Sequence, residues 1–533
     1  MLRPSRAGMV WAFAFLLLAL SLACTAFSQA PAPQSQAPAG TDKISDRKSS
    51  AATDSKSQDD KNKSSADDNA VDSDQDKSSD QDKSGDQEKS TKPESNPANK
   101  ITPQQAEQLF HEVDTILDFA SKDTELPIKH SVKRRLTSRE EVVAYLKKNM
   151  AEDKDVQRLR RTELVLKKFG LLPKDFDLQT FLVSLLEEQV AGYYDANTKT
   201  VNLLDWVLPE LQRPVLAHEL THALQDQNFG LDKWLKKGSD DIDSKKNLTP
   251  DDITKDENSE ARQAIVEGQA MVTLLDYMLA PLHRNVADSP EIVDMLNEDM
   301  QTGTPESVQY KNAPIFLKES LTFPYRYGVQ FEAAVLRAQG KAKAFSVPFE
   351  NPPRTSREIM EPKTYLAGEH IPPLPLPDFK KIFKDYDRFD IGAIGEFDVD
   401  ILAEQYAGKD VANQIYPNWR GGYYYSVHPK KNPQGDLGLV FVSRWASIKA
   451  AEEFAGVYAQ GMAARYKNLE AMPGNNLPAN LKQLRTLGGD HAWKTAEGDV
   501  VIAVKGDTVL VTESLDASIT EQFRHAVFAS SAQ

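Results

Sequence analysis

A chain of 533 residues is too long for a single hydrophobic core, so we expect more than one folded region together with unfolded segments. Its formal net charge of −15 argues against nucleic acid as a partner, because phosphate backbones bind to basic surfaces. Its single cysteine excludes an intramolecular disulfide framework.

The first 28 residues have the pattern of a secretory signal peptide. Arg3 and Arg6 precede an apolar run over residues 10–22, and residues 26–28 (Ala-Phe-Ser) offer a small-x-small cleavage site. The apolar run is shorter than a comfortable membrane span. We therefore expect an exported protein that is periplasmic, envelope-associated or secreted.

Cys24 lies at the end of that apolar run. The stretch Leu-Ser-Leu-Ala-Cys over residues 20–24 is similar to a bacterial lipoprotein cleavage box, although Ser21 stands where a large aliphatic residue is preferred. Two interpretations stay open. Either a lipidated Cys24 tethers the chain to a membrane, or Cys24 is an ordinary residue of the signal peptide.

Residues 29–100 consist mostly of Ser, Asp, Lys, Gln, Pro and Ala, with no aromatic residue and no leucine. Such a composition cannot bury enough apolar surface to offset the entropy lost on ordering. The charges in this stretch are mixed rather than collected in a basic block. We predict a disordered low-complexity linker rather than a binding arm.

From residue 101 onward, apolar residues recur at the spacing of helices. This periodicity predicts helices over residues 103–119, 138–150, 156–169 and 178–191. The stretch from Val190 to Leu203 then predicts a hairpin around Asp195-Ala196-Asn197-Thr198. We expect this hairpin to form a small edge sheet.

The segment His218-Glu219-Leu220-Thr221-His222 is the strongest motif of the chain. On a helix, positions i and i+4 lie one turn apart on the same face, so both imidazoles can point at one metal ion. Glu219 is then close enough to take a proton from a water on that metal. The pattern is typical of zinc and of hydrolysis.

The helix around this motif is predicted to begin near Pro214 and to end at Asn228-Phe229-Gly230. Leucines at helical spacing indicate that one side of it is buried. Burying histidine and glutamate without partners is costly, and a metal ion would supply the partner.

A catalytic zinc site uses three protein ligands and leaves a fourth position for water, so the third ligand must come from elsewhere in the chain. A third histidine six residues after His222 is excluded, because that residue is Asn228. A glutamate on a following helix is the alternative source.

Glu267 is our candidate for this third ligand. It lies among apolar residues in the helical segment 259–272, beside Gly268 and Ala270, whose small size suits close packing against another helix. Glu260 lies two turns earlier on the same face and is the competing candidate.

These residues together resemble the gluzincin group of zinc metallopeptidases. His218, Glu219 and His222 match its pentad, and Glu267 begins a Glu-Gly-x-Ala stretch on a second helix. More narrowly, the chain resembles poorly characterised bacterial extracytoplasmic proteins with zincin-like domains. Three further stretches add to this resemblance, which covers roughly residues 101–375: Gly192-Tyr193-Tyr194-Asp195, Phe323-Pro324-Tyr325-x-x-Gly328 and Pro352-Pro353-Arg354-Thr355-Ser356-Arg357-Glu358-Ile359-Met360.

The resemblance implies a mainly helical zincin-like metallopeptidase domain over residues 101–380. The expected function is hydrolysis of peptide bonds in a protein or peptide substrate, with a zinc-activated water and Glu219 as general base. His218, His222 and Glu267 would hold Zn²⁺. The alternative is a catalytically inactive zincin-like binding or scaffold protein of the cell envelope.

Further residues could line the cleft and contact the substrate or stabilise the oxyanion. An ordinary packing role is the alternative for each of them: Tyr193, Tyr194, Tyr325, Tyr327, Arg354, Tyr365 and His370. Asp226, four residues after His222, could orient a ligand imidazole or could be a surface carboxylate at the helix end.

A proline-rich stretch over residues 370–377 marks the predicted domain boundary. Beyond it, alternating patterns predict strands at 422–427, 437–445, 493–496, 499–504 and 508–512, and helical patterns predict helices at 447–466 and 518–528. We expect an independent C-terminal α+β domain over residues 386–533 with a binding or regulatory role. The whole chain is thus assigned to the α+β class.

Overall fold

The computed structural model describes residues 100–530, apart from 151–152, 190–191, 238–247, 303–307, 476 and 478–479. The predicted signal peptide over 1–28, the lipidated Cys24 and nearly all of the linker over 29–100 lie outside the described residues. The described chain mixes helices and sheets, which confirms the predicted α+β class. Among its helices, none is both long enough and apolar enough to cross a membrane.

The N-terminal part of the described chain is mainly helical. In chain order it contains α1 (Pro103–Thr124), β1 (Lys133–Thr137), α2 (Arg139–Met150), α3 (Asp153–Phe169), α4 (Leu178–Gln189), β2 (Tyr193–Asp195), β3 (Thr200–Leu204), α5 (Pro209–Phe229), α6 (Leu231–Lys236), α7 (Pro250–Ile253), α8 (Lys255–Leu279), α9 (Pro290–Thr302), α10 (Val308–Lys311), α11 (Ile315–Gln339), α12 (Lys341–Ala344), α13 (Val347–Glu350), α14 (Ser356–Met360) and α15 (Pro362–Leu366).

The C-terminal part is built around a second sheet. It contains α16 (Phe379–Ile382), β4 (Tyr386–Ala393), α17 (Glu396–Ala407), α18 (Lys409–Ile415), β5 (Trp419–Pro429), β6 (Gly438–Trp445), α19 (Ile448–Arg465), β7 (Glu470–Ala471), β8 (Gly489–Thr495), β9 (Gly498–Lys505), β10 (Thr508–Glu513) and α20 (Ala517–Ser530). The predicted strands and helices are present, and α16, β4, α17, α18 and β7 are additional to them.

The first sheet has three strands in the order β1-β3-β2. Strand β1 runs parallel to β3, and β2 pairs with β3 as the antiparallel hairpin that the sequence predicts. Strand β2 therefore lies at the edge of this sheet, next to helix α5, with which it is in contact.

The second sheet has seven strands in the order β4-β5-β6-β10-β9-β8-β7, with every neighbouring pair antiparallel. Successive residues of a strand face opposite sides. Phe441 accordingly packs in a cluster with Phe454 of α19, whereas Val440 and Val442 pack in a second cluster with Phe523 of α20.

The predicted independence of the C-terminal domain needs correction. The described residues fall into one compact unit, and a single hydrophobic cluster runs from the N-terminal helices into the second sheet. Phe169, at the end of α3, packs edge-on against Tyr424 and Phe441, with ring centroids 6.0 and 5.9 Å away. A boundary placed at the proline-rich stretch misses this contact, because the stretch separates the segments along the chain but not in space.

Helix α5 begins at Pro209, so the predicted start near Pro214 is wrong. Leu208 is extended and Pro209 takes the first helical turn, where its missing N–H costs nothing. Pro214 is therefore inside the helix. The predicted end is correct, because Gly230 adopts a φ of 68° and its N–H donates to the carbonyl oxygen of Asp226 at 2.9 Å.

The long helices α8 and α11 cross at two glycines. A Cβ on Gly268 would lie 2.2 Å from the carbonyl oxygen of Gly328, and a Cβ on Gly328 would lie 2.3 Å from the carbonyl oxygen of Ala264. The two backbones therefore touch. Gly268 of the Glu-Gly-x-Ala stretch and Gly328 of the Phe-Pro-Tyr-x-x-Gly stretch are needed for this contact, because a side chain at either position would collide with the other backbone.

We expect Gly268→Ala to destabilise the fold. A helical Gly→Ala change ordinarily stabilises by about 1 kcal/mol, but here the methyl group has no room, and overpacking should cost about 3 kcal/mol or more. Urea denaturation would measure the loss. Gly192→Ala is the milder control, because its Cβ would meet one methyl group of Val215 at 3.0 Å. A Gly268→Ala protein as stable as wild type would contradict the crossing.

Glu332 of α11 is fully buried, and burial raises its pKa well above 4.5, against a smaller opposing effect of Gln269. The folded protein thus keeps this carboxyl protonated where the unfolded chain has already lost its proton. In that pH range the unfolded state binds fewer protons, so stability falls by about 1.4 kcal/mol per pH unit.

Glu332→Gln removes this ionisation while keeping the shape of the side chain. We expect the variant to be more stable than wild type at pH 8 and to approach wild-type stability near pH 4. Denaturant midpoints at both pH values would test this. A stability difference that does not depend on pH would count against a protonated Glu332.

Candidate metal centre

Helix α5 places the two histidines of the pentad side by side. His218 and His222 are one turn apart, and their Nε2 atoms are 3.0 Å from each other. Their rings lie at 89° to each other. Both side chains are buried, so the two nitrogens face a common interior point.

Glu267 of α8 completes the group. Its Oε2 lies 3.2 Å from Nε2 of His218 and 3.5 Å from Nε2 of His222. The three side chains are all buried, and their ligand atoms lie within 4.8 Å of one another. Together they form a group that could bind a metal ion.

The donor set and spacing fit zinc. Zinc binds histidine nitrogen and carboxylate oxygen at about 2.0–2.2 Å in a tetrahedral arrangement, which puts ligand atoms about 3.3–3.5 Å apart. The three observed separations of 3.0, 3.2 and 3.5 Å are close to these values. No large rearrangement would be needed for the three side chains to share one ion.

The electrostatics of the group favour a cation. Burial would raise the pKa of Glu267, but the two histidines, His222 above all, hold it down at about 2. Burial would lower the pKa of His222, but Glu267 raises it to about 9. Burial keeps the pKa of His218 down at about 4. A carboxylate thus faces one protonated imidazole, and a metal ion would take the place of that proton.

Glu219 stands beside this group without joining it. Its side chain is 1 % exposed, and its Oε2 accepts a hydrogen bond of 2.7 Å from the backbone N–H of Tyr194. Burial raises the pKa of Glu219 to about 7, while His222 acts in the opposite direction. A carboxyl with a pKa near neutrality can both take up and release a proton.

Tyr194 and Asp226 join the edge strand β2 to α5. The Tyr194 hydroxyl donates to Oδ2 of Asp226 at 2.9 Å, and Lys199 forms an ion pair with the same carboxylate. The other oxygen of Asp226 accepts from the backbone N–H of Leu231 at 3.2 Å. Asp226 therefore does not orient a ligand imidazole, because its oxygens bond to the hairpin and to α6. It holds the strand that in turn contacts Glu219.

Tyr325 is the aromatic residue that the structure brings to the centre from α11. Its ring lies nearly parallel to that of His218, with centroids 6.4 Å apart. Burial raises the pKa of its hydroxyl well above 10, and the charges of Glu267 and Glu219 and a hydrogen bond to Glu267 add to this. The hydroxyl therefore keeps its proton and remains a donor.

The other predicted cleft residues have different partners. Tyr193 stacks on Tyr145, Tyr327 packs against Phe323 and Phe397, and the Tyr365 hydroxyl donates to the carbonyl oxygen of Asn351. The side chain of Arg354 is exposed, and His370 is bonded to Glu358. Glu260 lies near Glu257, Asp256 and Asp398 instead of the histidines.

Two glutamines contact the ligand side chains, and sequence reasoning missed both. Gln225 accepts from Nδ1 of His222 at 2.9 Å, and Gln263 donates to Oε1 of Glu267 at 3.0 Å. Each lies one helical turn from its partner, three and four residues along the chain. That spacing was the available signal.

Comparisons with known proteins add little to this geometry. No family model matches the chain, and no curated protein is detectably similar to it. One solved structure is similar, that of a Chloroflexus aurantiacus protein provisionally assigned as a hydrolase, with a fold described as novel. It is 15% identical, with a TM-score of 0.33 over 51% of this chain and 92% of that chain. At this TM-score the likeness assigns neither fold nor function.

We expect Glu267→Ala to lose the metal and Glu260→Ala to keep it, because only Glu267 faces the two histidines. Elemental analysis of the purified proteins would give about one zinc per chain for wild type. We expect His218→Ala and His222→Ala to lose zinc as Glu267→Ala does. Zinc that is lost from Glu260→Ala but kept by Glu267→Ala would identify the other glutamate as the ligand.

Proposed function

We propose that the protein is an exported zinc-dependent metallopeptidase that hydrolyses peptide bonds in a protein or peptide substrate. The observation that carries this proposal is the convergence of His218, His222 and Glu267 on one buried point, with Glu219 next to it. When bound, zinc would lower the pKa of a water toward neutrality and polarise the scissile carbonyl.

Glu219 is the proton carrier in this proposal. Its raised pKa of about 7 suits a group that accepts the proton of the attacking water and then passes it to the leaving nitrogen. The N–H of Tyr194 holds one carboxylate oxygen, which leaves the other for this transfer.

Tyr325 supports the developing oxyanion. Its hydroxyl is protonated and buried at the centre, and in a water-poor site a preorganised donor is worth more than in solvent. Of the predicted transition-state contacts, this residue has the geometry that fits best.

The edge strand β2 offers a place for a peptide. It lies at the end of its sheet and against α5, and an extended substrate can pair with the backbone groups of such an edge other than the N–H of Tyr194, which bonds to Glu219. The N-terminal sequence, with its signal-peptide pattern and Cys24, supports export and a lipid tether as part of the same proposal.

One observation favours the alternative of a non-catalytic zincin-like scaffold. His222 is the most exposed residue of the centre and is only 5 % exposed, whereas a catalytic zinc site keeps one position open. An intact Glu219 argues the other way, because a scaffold has no need of a base beside the metal ligands.

The Glu219→Gln variant distinguishes a metallopeptidase from a non-catalytic scaffold. Glutamine keeps the shape and can still accept from Tyr194, but it cannot take up the proton of a water. We expect full zinc content, unchanged folding and a loss of about 10²–10⁴-fold in casein or peptide-library turnover. Equal turnover would remove Glu219 as the base. If zinc-loaded wild type cleaves nothing and chelation changes nothing, the scaffold function becomes the better proposal.

A further inference from the structure

The amide of Gln225 bonds directly to a candidate metal ligand. Its Oε1 lies 2.9 Å from Nδ1 of His222, and Gln225 is fully buried. An amide oxygen only accepts hydrogen bonds, so Nδ1 of His222 must carry a proton in this contact. In the neutral ring the lone pair then lies on Nε2, the atom that faces Glu267.

The orientation of that amide is fixed from behind. Its Nε2 donates at 3.1 Å to the carbonyl oxygen of Val266 and at 3.1 Å to Oε1 of Gln269. Gln269 in turn donates at 3.0 Å to the carbonyl oxygen of Ala344. A flipped Gln225 would set its oxygen against two acceptors and its NH₂ group against Nδ1, so the packing permits one orientation.

Gln263 acts in a corresponding way on Glu267. Its Nε2 donates to Oε1 at 3.0 Å, while Oε2 is the oxygen that faces the two histidines. One oxygen of the carboxylate is thereby occupied, and one is left to bind a cation.

We infer that Gln225 and Gln263 are the positioning residues of the metal centre. Gln225 selects the tautomer of His222, and Gln263 makes Glu267 a ligand through a single oxygen. This inference rests on the proposed zinc site. Both partners are neutral amides, whereas histidine ligands often donate to a carboxylate that raises their basicity. The centre thus keeps its geometry without a further buried negative charge.

The test is the zinc affinity of glutamine variants, measured by competition with a chromophoric chelator. Gln225→Met keeps the volume but has no strong acceptor, and we expect zinc to bind about 10–100-fold more weakly. Gln225→Glu restores the acceptor oxygen, and its buried carboxyl, when protonated, can still donate one hydrogen bond to the carbonyl oxygen of Val266, so zinc affinity should return toward the wild-type value. Gln263→Met should weaken binding as well. Gln227→Met is the matched control, because Gln227 bonds to the backbone of residues 129 and 130 on the outer side of α5.

Substitution with Co²⁺ supplies a spectroscopic readout that is independent of activity. Its visible spectrum should change in Gln225→Met and be restored in Gln225→Glu, whereas a residue that only supports folding would not show rescue. If Gln225→Met does not fold, Gln225→Glu and Gln263→Met carry the test by the same criteria.

Two failures are distinguishable. Equal zinc affinity and equal cobalt spectra in wild type, Gln225→Met and Gln263→Met would overturn the positioning roles and leave the proposed function standing. A wild type that binds no zinc would overturn the proposed function and the positioning roles together.

Discussion

The backbone contact between Gly268 and Gly328 sets the distance between the two longest helices, α8 and α11. Glu267 is the neighbour of one glycine, and Tyr325 lies one turn before the other. The side chains of Glu267 and Tyr325 thus extend from their helices next to the crossing. Any residue larger than glycine would push the helices apart and move the carboxylate and the hydroxyl away from α5.

Charge is the second constraint on this site. A buried carboxylate is costly unless it is paired, and the two imidazoles pair it on one side while an amide holds the other. Glu219 is kept out of this pairing by strand β2, whose N–H takes one of its oxygens. Residues 218–222 of α5 therefore provide two metal ligands, His218 and His222, and a separate acid–base group, Glu219.

The periodicity of the sequence was sufficient for the helices α1 to α4, α8, α19 and α20, for the β2–β3 hairpin and for the strands β5, β6, β8, β9 and β10. Each of these elements has a buried face with a regular spacing. Periodicity was not sufficient for the start of α5, since Pro209 and Pro214 both suit a first turn and only tertiary packing decides between them. The grouping of His218, His222 and Glu267 could be proposed from local patterns.

Local sequence patterns do not show which side chains of distant segments contact each other. Asp226 was predicted either to orient a histidine or to be a surface carboxylate, yet Tyr194 and Lys199 bind one of its oxygens and the backbone N–H of Leu231 binds the other. The two halves of the chain looked separate because the proline-rich stretch interrupts the periodicity. Phe169 nevertheless packs on the second sheet, and no one-dimensional pattern marks that contact.

The junction between the two halves also has a kinetic consequence. Arg465 donates to the carbonyl oxygen of Lys168, 297 positions earlier in the chain, and also to Glu513. Contacts of such long sequence separation form slowly, because a large loop must close before they stabilise anything. The end of α3 is covered only after β5, β6 and α19 have formed, late in the chain. Until most of the chain has been synthesised, the apolar end of α3 therefore stays exposed to solvent.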